Sequence, residues 1–144
     1  MTIKKTFIVL AVGLAFMVFG SFSFAVEGGN KIPLMATKAH PGAIGTAMIS
    51  DYNINIQANG LKANAVYTAW FVNMKPKKNE TGAGDPPYMF KTDSMGSGTY
   101  SGKLSESPFG KWQMLMIVLH PNGDPADMKN MVGALSARLK SSQY

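Results

Sequence analysis

A chain of 144 residues with no cysteine, two histidines and a formal charge of +6 is long enough for one domain. It rules out disulfides, thiolate metal sites, thiol catalysis and a lipid-modified N-terminal cysteine. Basic stripes interleaved with exposed aromatics are missing, which argues against nucleic acid as a partner.

Lys4 and Lys5 precede an apolar run, Phe7 to Phe19, and then Gly20 to Ala25 with small residues at Ser23 and Ala25. That is the tripartite form of a secretory signal peptide. The run of 13 residues is short for a bilayer span, which needs roughly 20. The pattern predicts cleavage after Ala25, with residues 1–25 as leader and 26–144 as a single exported domain, periplasmic or secreted. Without the two leader lysines the charge is +4, mild enough for a soluble basic protein weakly attracted to anionic surfaces. No second segment is long enough to span a bilayer.

Val26 to Lys31 is polar and glycine-rich, a frayed start. Ile32 to Ala36 reads as a short strand, and Pro33 places it at an edge because proline donates nothing to a ladder. His40-Pro41-Gly42 marks a turn. Ile44 to Ser50 alternates weakly. Tyr52, Ile54, Ile56 and Ala58 then alternate with Asn53, Asn55 and Gln57, a strand with one wet face. Asn59-Gly60 ends it.

Gly60 to Met74 (GLKANAVYTAWFVNM) is the most apolar and aromatic run after the leader. Val66, Thr68, Trp70, Val72 and Met74 share one face; Tyr67, Ala69 and Phe71 share the other. With both faces apolar, this is a central strand covered on both sides. Lys75 to Pro87 (KPKKNETGAGDPP) reads as a structureless loop, of a length that is functional or simply mobile. Tyr88 to Thr92 is a short strand with Tyr88 and Phe90 inward. Ser94 to Gly98 turns, and Thr99 to Leu104 alternates with Tyr100 and Leu104 inward. Ser105 to Lys111 turns again, and Trp112 to Leu119 is a second almost wholly apolar strand. Asp124-Pro125-Ala126-Asp127 has the form of a helix start, with Met128, Met131 and Val132 at helical spacing. Leu135, Ala137 and Leu139 fit either a continued helix or a strand; the reading here is a short helix followed by a last strand. About seven or eight strands at this spacing imply a sandwich or barrel.

The fragment GLKANAVYTAWFV resembles the tyrosine-corner strand entrance of fibronectin type III and other immunoglobulin-like domains. The resemblance implies that Tyr67 is structural, its hydroxyl hydrogen-bonded to nearby upstream backbone. The same fragment resembles the core of chordin-type and superoxide-dismutase-like sandwiches. Those enzymes hold copper and zinc through histidines on the following strands, where this chain has Trp70 and Asn73, so the resemblance extends to fold and not to dismutase activity. Trp70 and Trp112 are read with Tyr67 as structural residues.

Nine methionines after the leader and two histidines, without cysteine, invite a copper reading, since thioether and imidazole select that metal. The candidate ligands are His40, His120, Met35 and Met48; against them, methionine is an ordinary core filler and no M-x-x-M or H-x-H cluster occurs. His120 to Asp124 with Asp127 lacks the spacing of a calcium loop and reads as a turn before a helix cap. No serine sits in a G-x-S-x-G elbow, and Glu80 and Asp85 share a loop that cannot preorganise an acid–base pair. The best partner-contact candidates are Lys75, Lys77 and Lys78, with Tyr88 at the loop's exit. The expectation is therefore an all-β, immunoglobulin-like sandwich with one short helix near its C-terminus. Its expected role is that of a non-enzymatic binding domain of the cell envelope, meeting an envelope protein or an anionic surface. A periplasmic copper-binding protein is the alternative.

Overall fold

The computed structural model describes residues 29–140; the expected signal peptide lies outside them. Nine strands follow one another: β1 (Asn30–Ala36), β2 (Ile44–Ile49), β3 (Asn53–Asn59), β4 (Val66–Asn73), β5 (Asn79–Gly82), β6 (Met89–Lys91), β7 (Gly98–Lys103), β8 (Met114–His120) and β9 (Val132–Arg138). Every pairing is antiparallel. The order is β5-β4-β8-β9-β1-β2-β3-β7, with β6 also paired to β4.

β1 makes this one sheet instead of two. Its residues Asn30 to Leu34 pair with β2, while Met35 and Ala36 pair with β9. The sheet therefore curls through β1 into a half-barrel whose two halves share one core, an arrangement compatible with a β-sandwich. Pro33 lies where β1 pairs with β2 alone, so its missing N–H leaves no ladder bond unmade. In immunoglobulin constant domains the second and third strands belong to different layers. Here β2 and β3 form a hairpin within one layer, opposite Ile49 and Ile54.

The core lies between the halves. β3 contributes Ile54, Ile56 and Ala58; β4 contributes Tyr67, Ala69 and Phe71; β8 contributes Leu115, Ile117 and Leu119; β9 contributes Leu135 and Ala137. Period-two alternation put Ile54, Ile56 and Ala58 on one face and Tyr67, Ala69 and Phe71 together on another. β4 has β8 on one edge and β5 and β6 on the other, and Thr68 and Val72 on its outer face are also buried. It is central and covered on both sides.

Three expectations need correction. The segment 75–87 is not structureless: Asn79 to Gly82 pairs with β4 from Asn73 to Trp70. NETG has no apolar alternation to announce it, and the long unpaired edge of β4 recruits it through backbone bonds. Tyr52 does not point inward but is 66% exposed, because the strand begins one residue later, after a turn closed by Ser50 and Asn53. Finally, there is no helix among the described residues. The capping chemistry at Asp124 is present but closes turns. Asp124 Oδ1 accepts the Ala126 N–H at 2.9 Å, and Asp127 Oδ1 accepts those of Lys129 and Asn130 at 3.0 and 3.3 Å. A second cap three residues after the first restarts the turn before any length accumulates, and Val132 already belongs to β9. A single helical turn is not stable by itself.

Leu115 is fully buried and Ile44 is 64% exposed. Leu115→Ala is expected to lower unfolding free energy by about 2–5 kcal/mol and Ile44→Ala by less than about 0.5 kcal/mol, both read from urea denaturation.

Candidate functional site

Two polar pairs flank β4 on opposite faces. On the inner face, the Tyr67 hydroxyl accepts the Lys62 N–H at 2.9 Å and stands 3.1 Å from His40 Nε2. The Tyr67 ring stacks on Phe90, 5.6 Å between centroids. The direction of that bond follows the imidazole tautomer, and the ring nitrogen it leaves over is Nδ1. That atom is buried without a partner. Burial holds His40 below the usual histidine range and raises Tyr67 above the usual tyrosine range. On the outer face, Trp70 Nε1 donates to Thr68 Oγ1 at 2.7 Å, and that oxygen lies 2.7 Å from His120 Nε2. Thr68 and His120 are almost wholly buried.

The four copper candidates are therefore dispersed. His40 serves the inner face of β4 and His120 the outer. Met35 is 65% exposed beside β9, and Met48 lies half-buried in the other half of the sheet, opposite Lys31 and Asn55. Among the described residues, no three His, Cys, Asp or Glu side chains converge as a metal site.

Tyr88 does not turn inward with Phe90. Its backbone is left-handed, φ 63°, uncommon for a bulky residue. The ring lies over Gly82, where any Cβ would meet it at 2.2 Å, and against Trp70, 5.4 Å between centroids. The Tyr88 carbonyl accepts the Ala69 N–H at 3.0 Å. Ala69 is five residues back from Met74, roughly 16 Å along a strand. Tyr88 is thus separated from the lysines it was grouped with.

The opposite end of β4 is built on one glutamine. Gln113 Oε1 accepts the N–H groups of Met74 (2.7 Å) and Lys75 (3.2 Å), and its Nε2 donates to the Lys75 carbonyl (2.9 Å). Its own N–H donates to Asn73 Oδ1 (2.8 Å), and Asn73 Nδ2 donates to the Lys111 carbonyl (3.0 Å). The Gln113 carbonyl accepts the Leu139 N–H at 2.8 Å. Three chain segments meet there: the exit of β4, the approach to β8 and the end of β9. Trp112 is half-buried, and it and Phe109 each pack against the core.

These segments carry Lys75, Lys77, Lys78, Lys111, Arg138 and Lys140, all exposed. They are half of the 12 cations that follow residue 25. Two acids accompany them. Glu80 pairs opposite Val72, and Glu106 bonds Lys111 in the one ion pair found among the described residues. Recesses of about 350 and 420 Å³ flank Gln113 and share Lys75, Gln113 and Leu139. Asn73, Gly110, Lys111 and Trp112 complete the first, Met74, Met114 and Arg138 the second, and no carboxylate lines either. The arrangement can hold anions. A third recess of about 540 Å³ at the other end is lined by Gln57, Asn59, Asn64, Asp93, Ser97 and neighbours; there Ser97 Oγ already donates to Asn59 Oδ1 at 2.7 Å.

No family model, curated protein or solved structure matches the chain. The site is read from its own chemistry. Sequence reasoning had singled out Lys75, Lys77 and Lys78 but missed Lys111, Gln113, Arg138 and Lys140. The available signal was a cation at one flank of each apolar run, which becomes a cluster only when Val72, Met114 and Arg138 are aligned across β4, β8 and β9.

Two measurements check the inner-face pair. Tyr67→Phe leaves the Lys62 N–H without its acceptor and is expected to cost about 1–3 kcal/mol in urea denaturation. For His40, a folded-state pKa below 6.5 means that the unfolded chain takes up the proton first as pH falls. Stability is then flat above about pH 6.5 and declines below it. The decline should be shallower in His40→Gln, measured as unfolding midpoints between about pH 7.5 and pH 5.5.

Proposed function

We propose that this chain is an exported, non-enzymatic binding domain of the cell envelope, and that its recognition surface is the basic end around Gln113. One observation carries the reading. Strand pairing gathers at that end six cations that are scattered along the sequence, on a frame held by six hydrogen bonds of Asn73 and Gln113. Like charges brought together repel one another, and only one of these six has a carboxylate partner among the described residues. An anionic partner offsets that repulsion and is drawn in by it. The groups best suited to proton transfer are engaged in holding the fold: His40 on Tyr67, His120 on Thr68. The leader pattern supplies the route to the envelope.

The test compares retention on a sulfated-polymer resin. Lys75→Glu/Lys77→Glu/Lys78→Glu should elute at clearly lower salt than the parent. Lys38→Glu/Lys62→Glu/Lys129→Glu changes net charge equally at exposed positions elsewhere and should elute close to the parent. Equal loss in both triples reduces the effect to net charge and defeats the reading.

A further inference from the structure

We infer that the basic end docks on a lipid leaflet bearing anionic phosphate headgroups, with phosphates seated in the two recesses that flank Gln113. This rests on the reading of that end as the recognition surface.

Three features favour a leaflet over an acidic protein segment. First, each recess offers two cations and no carboxylate: Lys75 with Lys111 in one, Lys75 with Arg138 in the other. Lys75 stands between two anion positions, as a surface of repeating headgroups requires. Arg138 supplies a planar fork suited to a phosphate, and the lysines supply point charges. Second, the cations surround apolar surface. Met74 is 53% exposed and lines the second recess with half-buried Met114. A methionine among lysines suits the boundary between headgroups and acyl chains, where lysine stems lie along apolar surface and their ammonium groups stay in water. Third, Lys77 and Lys78 follow Met74 on the same exposed turn. They extend the positive surface beyond the recesses, over an area broader than one small anion needs. Glu106 competes for Lys111, so Lys75 and Arg138 are the better positions to test.

The experiment uses the chain from Val26 onward, whose described residues contain the whole sheet and core, in flotation with vesicles. Vesicles of phosphatidylcholine with phosphatidylglycerol should carry the protein up; vesicles of phosphatidylcholine alone should not. Each cation removed from such a surface weakens binding roughly fivefold. Lys75→Ala/Arg138→Ala should therefore bind roughly 25-fold more weakly, whereas Lys38→Ala/Lys129→Ala stays near the parent. Met74→Ser separates a leaflet from any other polyanion: it should reduce flotation and leave retention on the sulfated-polymer resin unchanged. Resin retention without flotation, or flotation indifferent to Met74→Ser, overturns the leaflet and leaves the basic-end reading standing. Competition by polyglutamate with no flotation points to an acidic protein segment and also overturns it. Failure on both resin and vesicles removes the two readings together.

Discussion

A strand with apolar side chains on both faces has to find neighbours on both edges and cover on both sides, and β4 is that strand. Its inner residues Tyr67, Ala69 and Phe71 enter the main core, and its outer Thr68 and Val72 are buried as well. The requirement propagates. β8 must pair along nearly the whole of β4, which it does from Val66 to Val72. The other edge must be filled, and two short strands, β5 and β6, share it. The polar groups that β4 brings inside must then be met. Tyr67 takes the Lys62 N–H, and Thr68 receives the Trp70 indole beside His120. A buried hydroxyl without such partners costs free energy comparable to the loss of a hydrogen bond.

A second tyrosine plays a comparable part on the opposite half of the sheet. Tyr100 of β7 donates to the Ala83 carbonyl at 2.7 Å, in a position so close that a Cβ at Gly84 would meet its oxygen at 2.4 Å. Burial and the nearby Asp85 charge push its pKa up to about 12. The bond pins the chain just beyond β5 to the opposite layer. The two phenols thus fix two connections, the entrance to β4 and the return from β5.

Legibility in the sequence followed the cause of each element. β3, β4 and β8 were readable because burial on one or two faces writes itself into the residue pattern: Ile54, Ile56 and Ala58 alternate, while Tyr67 to Val72 do not need to. β5 left no such trace. It is polar at the sheet's edge, and what holds it is backbone bonding to β4 with a tyrosine ring over Gly82. The error at Asp124 to Asp127 was of the opposite kind. The local chemistry was read correctly, but capping oxygens satisfy turns as readily as helices, and only the length of the following stripe decides between them. Half of the basic end was visible as Lys75, Lys77 and Lys78. The other half depended on which strand ends become neighbours, which no window of sequence contains.

The same register that gathers six cations at one end leaves acids and lysines mixed at the other. β8 begins beside Lys111 and ends at His120, and Asn122, Asp124 and Asp127 follow in the turn beyond it. Asp93, past the end of β6, also lies towards that end, because Lys91 pairs with Val66 at the start of β4. The described domain is therefore unevenly charged along β4 and β8: six cations stand against Glu80 and Glu106 where Gln113 ties the strands, whereas at the turns opposite Asp93, Asp124 and Asp127 are offset by Lys62, Lys91 and Lys129. The modest net charge understates this. A molecule with a few excess charges spread evenly is attracted to an anionic surface in any orientation. One with its cations concentrated at one end is also turned as it approaches, because that end is drawn in more strongly than the rest. With a screening length of about 10 Å at 0.1 M salt, that torque acts only near contact. There it would favour the end that carries the recesses and the exposed Met74.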